Sequence, residues 1–103
     1  SDTTIEQSLG MQVMPMSAGI ARSLGVPAET QGVVVAAVDP NADAARKGLR
    51  RGDIILSANY QPVASVEALV AQVTAARTEK REAILLRIQR GPNPPAFIAV
   101  RLR

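Results

Sequence analysis

The residues best suited to binding chemistry are Ser8-Leu9-Gly10-Met11, together with the overlapping run Met11-Gln12-Val13-Met14. A Gly between bulky apolar residues, directly before an extended run, can turn successive backbone N–H groups towards an anion. The flanking side chains then line an apolar hole. Backbone nests of this kind capture terminal carboxylates, and an open strand edge beside one accepts an incoming peptide strand. Apolar-Gly-apolar is a common tripeptide, so its weight depends on what surrounds it.

Catalysis has little to draw on. The 103-residue chain contains no Cys and no His. Their absence excludes disulfides, thiolate nucleophiles and Cys-ligated metals. It also removes Ser-His-Asp and Cys-His mechanisms, the usual zinc sites and the commonest general base. Ser8, Ser17, Ser23, Ser57 and Ser65 have no evident base, so no catalytic residue, metal or cofactor is expected. Twelve Lys and Arg against nine Asp and Glu give a net charge of +3, and ten of the twelve are Arg. That field favours anionic partners, a terminal carboxylate among them. It is too small to imply nucleic acid, the Arg residues are scattered, and stacking aromatics are reduced to Tyr60 and Phe97.

The elements that must position the 8–14 stretch follow from pattern. The length suits one domain, and 47% hydrophobic residues permit a core of Val, Leu, Ile and Ala. No run approaches the roughly 18 to 20 apolar residues of a membrane span. Residues 1–7 are mostly polar and read as a flexible tail, with the domain over 8–103. No basic-then-apolar leader pattern opens the chain, which suits a cytosolic protein or an excised piece of an exported one.

Met11 to Met14, closed by Pro15, reads as a short edge strand. Ser17 caps a short helix that stops at Gly25, with Ile20 and Leu24 on one face. The apolar, β-branched run within Gln31–Val38 suits a central strand, broken by Asp39-Pro40-Asn41. Ala42 to Lys47 reads as a short helix stopped by Gly48, its cations Arg46 and Lys47 well placed at a C-terminus. Arg50-Arg51-Gly52-Asp53 is a turn into the strand Ile54–Ala58. Its Arg-Gly-Asp letters also spell a cell-adhesion motif, but a Gly-Asp turn explains them more simply.

After the turn Asn59–Pro62, Ser65 caps the longest helix, Val66 to about Arg77. Val66, Val70 and Val73 form one stripe along it, with Leu69 and Ala76 on a neighbouring one. One reading is plain packing on a sheet. The sharper one has one stripe facing the core and the other a groove. Ala83–Arg90 and Ala96–Leu102 read as a final hairpin around the proline-rich turn Gly91–Pro95. The sum is about five strands, two short helices and one longer helix in a small α+β domain.

Taken in order, these pieces resemble a PDZ domain of the kind that follows the protease domain in periplasmic serine proteases of the HtrA, or Do, family. The likeness rests on Leu9-Gly10-Met11, Gln31-Gly32-Val33-Val34-Val35, the segment Ala44 to Ile55 with its Gly-Leu-x-x-Gly-Asp-Ile-Ile core, Ser65-Val66-Glu67-Ala68-Leu69 and Ile88-Gln89-Arg90-Gly91. It covers about residues 8–103 and is closest to the second of the two PDZ domains in such proteases. It implies a five-stranded, partly open barrel in the permuted bacterial strand order, in a non-catalytic module of a periplasmic protein-quality-control protease.

The resemblance also implies that Leu9, Gly10 and Met11 donate N–H groups to a peptide's terminal carboxylate. The peptide would add as a strand beside Met11, Gln12, Val13 and Met14. Val66, Val70 and Val73 would form the opposite wall and the pocket floor. Met11 stands where the family more often has Leu or Ile, implying a softer pocket. Expected partners are apolar peptide C-termini or unfolded segments, and the parent's protease domain and sister subunits. The alternative is a domain that holds protease subunits together, which an outward-pointing Phe97 would support.

Overall fold

Val33, Val34 and Val35 are almost wholly shielded from solvent, as expected where a strand is covered on both faces. They begin β2 (Val33–Val38), the strand from which the sheet is built. The computed structural model describes residues 2–103. In chain order the other elements are α1 (Asp2–Leu9), β1 (Met11–Pro15), α2 (Ala18–Leu24), α3 (Asp43–Arg46), β3 (Ile54–Ala58), β4 (Gln61–Pro62), α4 (Val66–Thr78), β5 (Ala83–Gln89) and β6 (Ala96–Arg101). The strands form one antiparallel sheet in the order β1-β2-β3-β5-β6, with the two-residue β4 attached to β3. Bulges at Gln12/Val13 and Ile55/Ser57 shift the register and bend the sheet around its core.

This is the expected α+β architecture. Ser17 accepts the Ile20 N–H at 3.1 Å and Ser65 the Ala68 N–H at 3.1 Å, the two N-caps foreseen from pattern. Along α4 the buried side chains are Val66, Leu69, Val73 and Ala76, so the core face takes residues from both expected stripes and only Val70 of the valine stripe stays half-buried. One feature departs from expectation. The polar opening stretch, read as a flexible tail, is helical from Asp2 onward, and Ser1 lies outside the described residues. An isolated eight-residue helix is marginal in water, so docking must hold this one. Ile5 and Leu9, four apart, share a face and are both buried in the main core.

Asp53 accords with the simpler turn reading of the Arg-Gly-Asp letters. Its carboxylate is 1% exposed and accepts Arg90 Nε and Nη2, both at 2.7 Å, and the Arg50 N–H at 3.1 Å. An adhesion motif needs that carboxylate outside. Here it staples the turn before β3 to the end of β5, and the Arg-Gly-Asp letters record a structural turn. Arg90 Nη2 also donates to the Gly48 carbonyl at 2.8 Å, and the bond to Asp53 holds its pKa above the ordinary guanidinium value.

Replacing Arg90 with Ala should strand the Asp53 charge. A fully buried pair broken this way costs about 3–5 kcal/mol. Because the Arg90 side chain is 41% exposed, a loss of about 2 kcal/mol in urea unfolding is the expected outcome. A loss below about 0.5 kcal/mol would show that water replaces the guanidinium at no cost.

Candidate functional site

An open path of strands leaves two outer edges. On β6, Asp43 of α3 accepts the Arg101 N–H at 2.9 Å and Lys47 Nζ donates to the Ala99 carbonyl at 2.8 Å. Asp43 and Lys47 are themselves paired at 3.0 Å. The Arg101 N–H, then Lys47, hold the Asp43 carboxyl below its usual range. These groups occupy the polar edge and discourage strand addition there. On β1 the pairing runs to β2 alone, and among the described residues nothing else bonds the backbone of Met11–Pro15. β1 is therefore the edge open to a partner.

The sequence-predicted residues divide by face. Leu9, Met11, Val13, Val66 and Val73 meet in one buried cluster, and Val70 packs half-buried against it. This is the apolar wall between β1 and α4. Gln12 is exposed and Met14 half-buried, alternating with the buried Met11 and Val13 along the strand. Gly10 adopts φ 70°, and a Cβ built there would lie 2.3 Å from the Ala42 Cβ. Only Gly fits that turn. In this conformation the Gly10 N–H donates to the Glu6 carbonyl at 3.0 Å, and its carbonyl accepts the Asp39 N–H at 2.8 Å.

Sequence reasoning missed the residues that surround this turn. Ser8 is buried, and its Oγ accepts Arg77 Nε at 3.1 Å and Nη2 at 2.9 Å from the last turn of α4. Arg103 donates its N–H to the Ser8 carbonyl at 2.9 Å. Its guanidinium reaches the Glu6 and Gln7 carbonyls at 3.2 and 3.4 Å and Asp39 at 3.0 Å. The Asn41 N–H, then Arg103, keep the Asp39 carboxyl below its ordinary value. Two guanidinium groups thus brace the turn into β1, Arg77 on Ser8 and Arg103 on the α1 carbonyls with its charge paired to Asp39. Neither position belongs to a local motif. Arg77 was legible only as a cation favourable to its helix end. An open cleft of about 270 Å³ adjoins Gly10, lined by Met11, Gln12, Val38, Asp39 and Arg103. It lies on the β2 side, and no α4 residue lines it.

Among the described residues no group of acidic side chains could hold a metal ion, and no helix is long and apolar enough to cross a membrane. Compared with known proteins, residues 2–89 match the sequence profile of the PDZ domain. The chain belongs to the PDZ family. Its curated relatives include the probable periplasmic serine endoprotease DegP-like of Brucella suis biovar 1, 46% identical over 65 residues, which are 62% of this chain and 13% of that protein. The protein of the same name from Chlamydia pneumoniae is 33% identical over 95 residues, 92% of this chain and 19% of that one. The chain therefore spans less than a fifth of these relatives.

Among solved structures, the HtrA-type protease AlgW with a decapeptide aligns with TM-score 0.66 at 34% identity, over 94% of this chain and 30% of that one. The HtrA3 PDZ domain bound to a phage-derived ligand aligns with TM-score 0.74 at 22% identity, over 92% of this chain and 83% of that one. This PDZ domain is thus a non-catalytic module of the kind found in periplasmic HtrA- and DegP-like proteases.

Gly10→Ala should damage the nest specifically. The left-handed φ and the contact with Ala42 together predict a loss of about 1–3 kcal/mol in thermal or urea unfolding. A variant as stable as the parent would mean the 9–11 turn is not fixed as described.

Proposed function

We propose that this PDZ domain captures peptides with an apolar C-terminus, or apolar extended segments of unfolded proteins, by adding them as a strand to β1. The observation that carries the reading is the asymmetry of the sheet edges: β6 is covered by Asp43 and Lys47, whereas β1 is bare and lies beside the valine stripe of α4. In the bound state Leu9, Gly10 and Met11 turn their N–H groups to the terminal carboxylate. The backbone of Gln12, Val13 and Met14 pairs with the peptide, while Val66, Val70 and Val73 receive its apolar side chains. Arg77, at the end of α4, adds charge complementarity. The similarity to AlgW, a protease described with a decapeptide, supports this reading. The parent would be a serine endopeptidase of the periplasm, and the domain would present substrates to it.

A second reading, assembly of protease subunits, is favoured by one feature. The only two aromatic residues, Tyr60 and Phe97, are 73% and 53% exposed and touch, with ring centroids 5.6 Å apart. The turn between β3 and β4 holds Asn59 and Tyr60 at φ 50° and 68°, and the Arg87 guanidinium lies 6.0 Å from the Phe97 ring centre. An exposed aromatic pair with an Arg has the composition of an interface centre.

The direct test is a fluorescence-polarisation titration with a short peptide ending in an apolar residue, as free acid and as C-terminal amide. The free acid should bind at roughly micromolar Kd, about 8 kcal/mol, and the amide at least about tenfold more weakly. Equal affinities, or none, would count against the carboxylate nest. A mass that rises with concentration and falls on Phe97→Ser would then favour assembly.

A further inference from the structure

The apolar pocket that the peptide reading requires is already full. Leu9, Met11 and Val73 are almost wholly buried by the chain's own side chains. The helix α1 packs against both β1 and α4, and its Ile5 is 0% exposed within the same cluster as Leu9, Met11, Val13, Val66 and Val73. The Gly10 N–H, one of the donors a carboxylate would need, is engaged by the Glu6 carbonyl of that helix. An apolar side chain and a carbonyl oxygen from α1 therefore hold the same kinds of partner that a peptide's last side chain and its carboxylate would seek.

We propose that α1 is an internal stopper of the peptide site, which must lift its last turn for a ligand to bind. This rests on the peptide-capture reading and adds a regulation to it. The stopper is fastened at one end. Arg103 draws the Glu6, Gln7 and Ser8 carbonyls together and is itself anchored on Asp39. Arg77 ties the Ser8 hydroxyl to the end of α4 and also donates to the Arg103 carbonyl. The Gln7 and Ser8 carbonyls are orphans of α1's C-terminus whose bonds would otherwise go to water, and Glu6 accepts Arg103 in addition to Gly10, so the last turn is more firmly closed than a short helix would be alone. A site competent only when the stopper is lifted binds more weakly by the fraction of time it is open. Loosening the fastening should raise apparent affinity, and ligand should in turn loosen α1.

The test titrates the free-acid peptide against the parent domain, Arg103→Ala and Ile5→Ala, with circular dichroism to show that each is folded. Arg103→Ala loosens the fastening and leaves the groove residues intact. Ile5→Ala shrinks the side chain that fills the pocket. Each should bind about fivefold more tightly than the parent, the factor one ordinary hydrogen bond represents, and associate faster. Amide hydrogen exchange at Gly10 should speed up in Arg103→Ala and in the peptide-saturated parent. If the parent binds peptide but neither folded variant binds more tightly, the stopper is overturned and peptide capture stands. If no protein binds, peptide capture fails and the stopper with it.

Discussion

The unpaired backbone at the ends of the sheet is the constraint on which the rest of this structure depends. Every strand edge presents N–H and C=O groups that must be bonded, hydrated or covered, and an uncovered edge recruits further strands. The domain treats its two edges differently. At β6, a four-residue helix places one carboxylate and one ammonium on the strand, closing it to pairing. At β1, five residues have β2 on one side only. The permuted order puts this free edge next to the turn at Gly10 and the apolar flank of α4. Strand, turn and helix acquire a joint use only through that placement.

The cost of an open edge is the risk of indiscriminate pairing, and the surrounding features limit it. β1 is short, interrupted by a bulge at Gln12/Val13 and closed by Pro15, so it cannot extend a long ladder. Its inward side chains, Met11 and Val13, are part of the main core, so the register of β1 is set by burial before any ligand arrives. On the proposed peptide capture, a partner gains a few main-chain bonds and one apolar side chain. An interface of that size gives affinities suited to repeated capture and release.

Much of this was readable in the sequence because the signals are local. Ser17 and Ser65 cap the helices they precede, Gly25 stops α2 in the left-handed conformation, and the β-branched run at Val33–Val35 is buried as its composition implies. Leu9, Met11, Val13, Val66 and Val73 share one core cluster with Val70 packed against it, because the strand alternation specifies one face, whereas the two helical stripes merge on the core side. The helix at Asp2–Leu9 was not readable, because a short, polar segment has no helical signal apart from Ile5 and Leu9. It forms by docking, and docking is a tertiary fact. The roles of Ser8, Arg77, Arg103 and the Asp53–Arg90 pair were hidden for a related reason. Their partners lie 26 to 97 residues away in the chain, except for the Arg50 N–H beside Asp53.

The central claim is that ligand adds at the β1 edge beside α4. Its most direct test is a ¹⁵N-labelled NMR titration with an apolar-ended free-acid peptide, mapping amide shifts along the chain. Addition at β1 should give the largest shifts at residues 9–14 and along Val66–Val73, with Tyr60, Arg87 and Phe97 unmoved. Shifts centred on Tyr60, Arg87 and Phe97, with residues 9–14 silent, would contradict it.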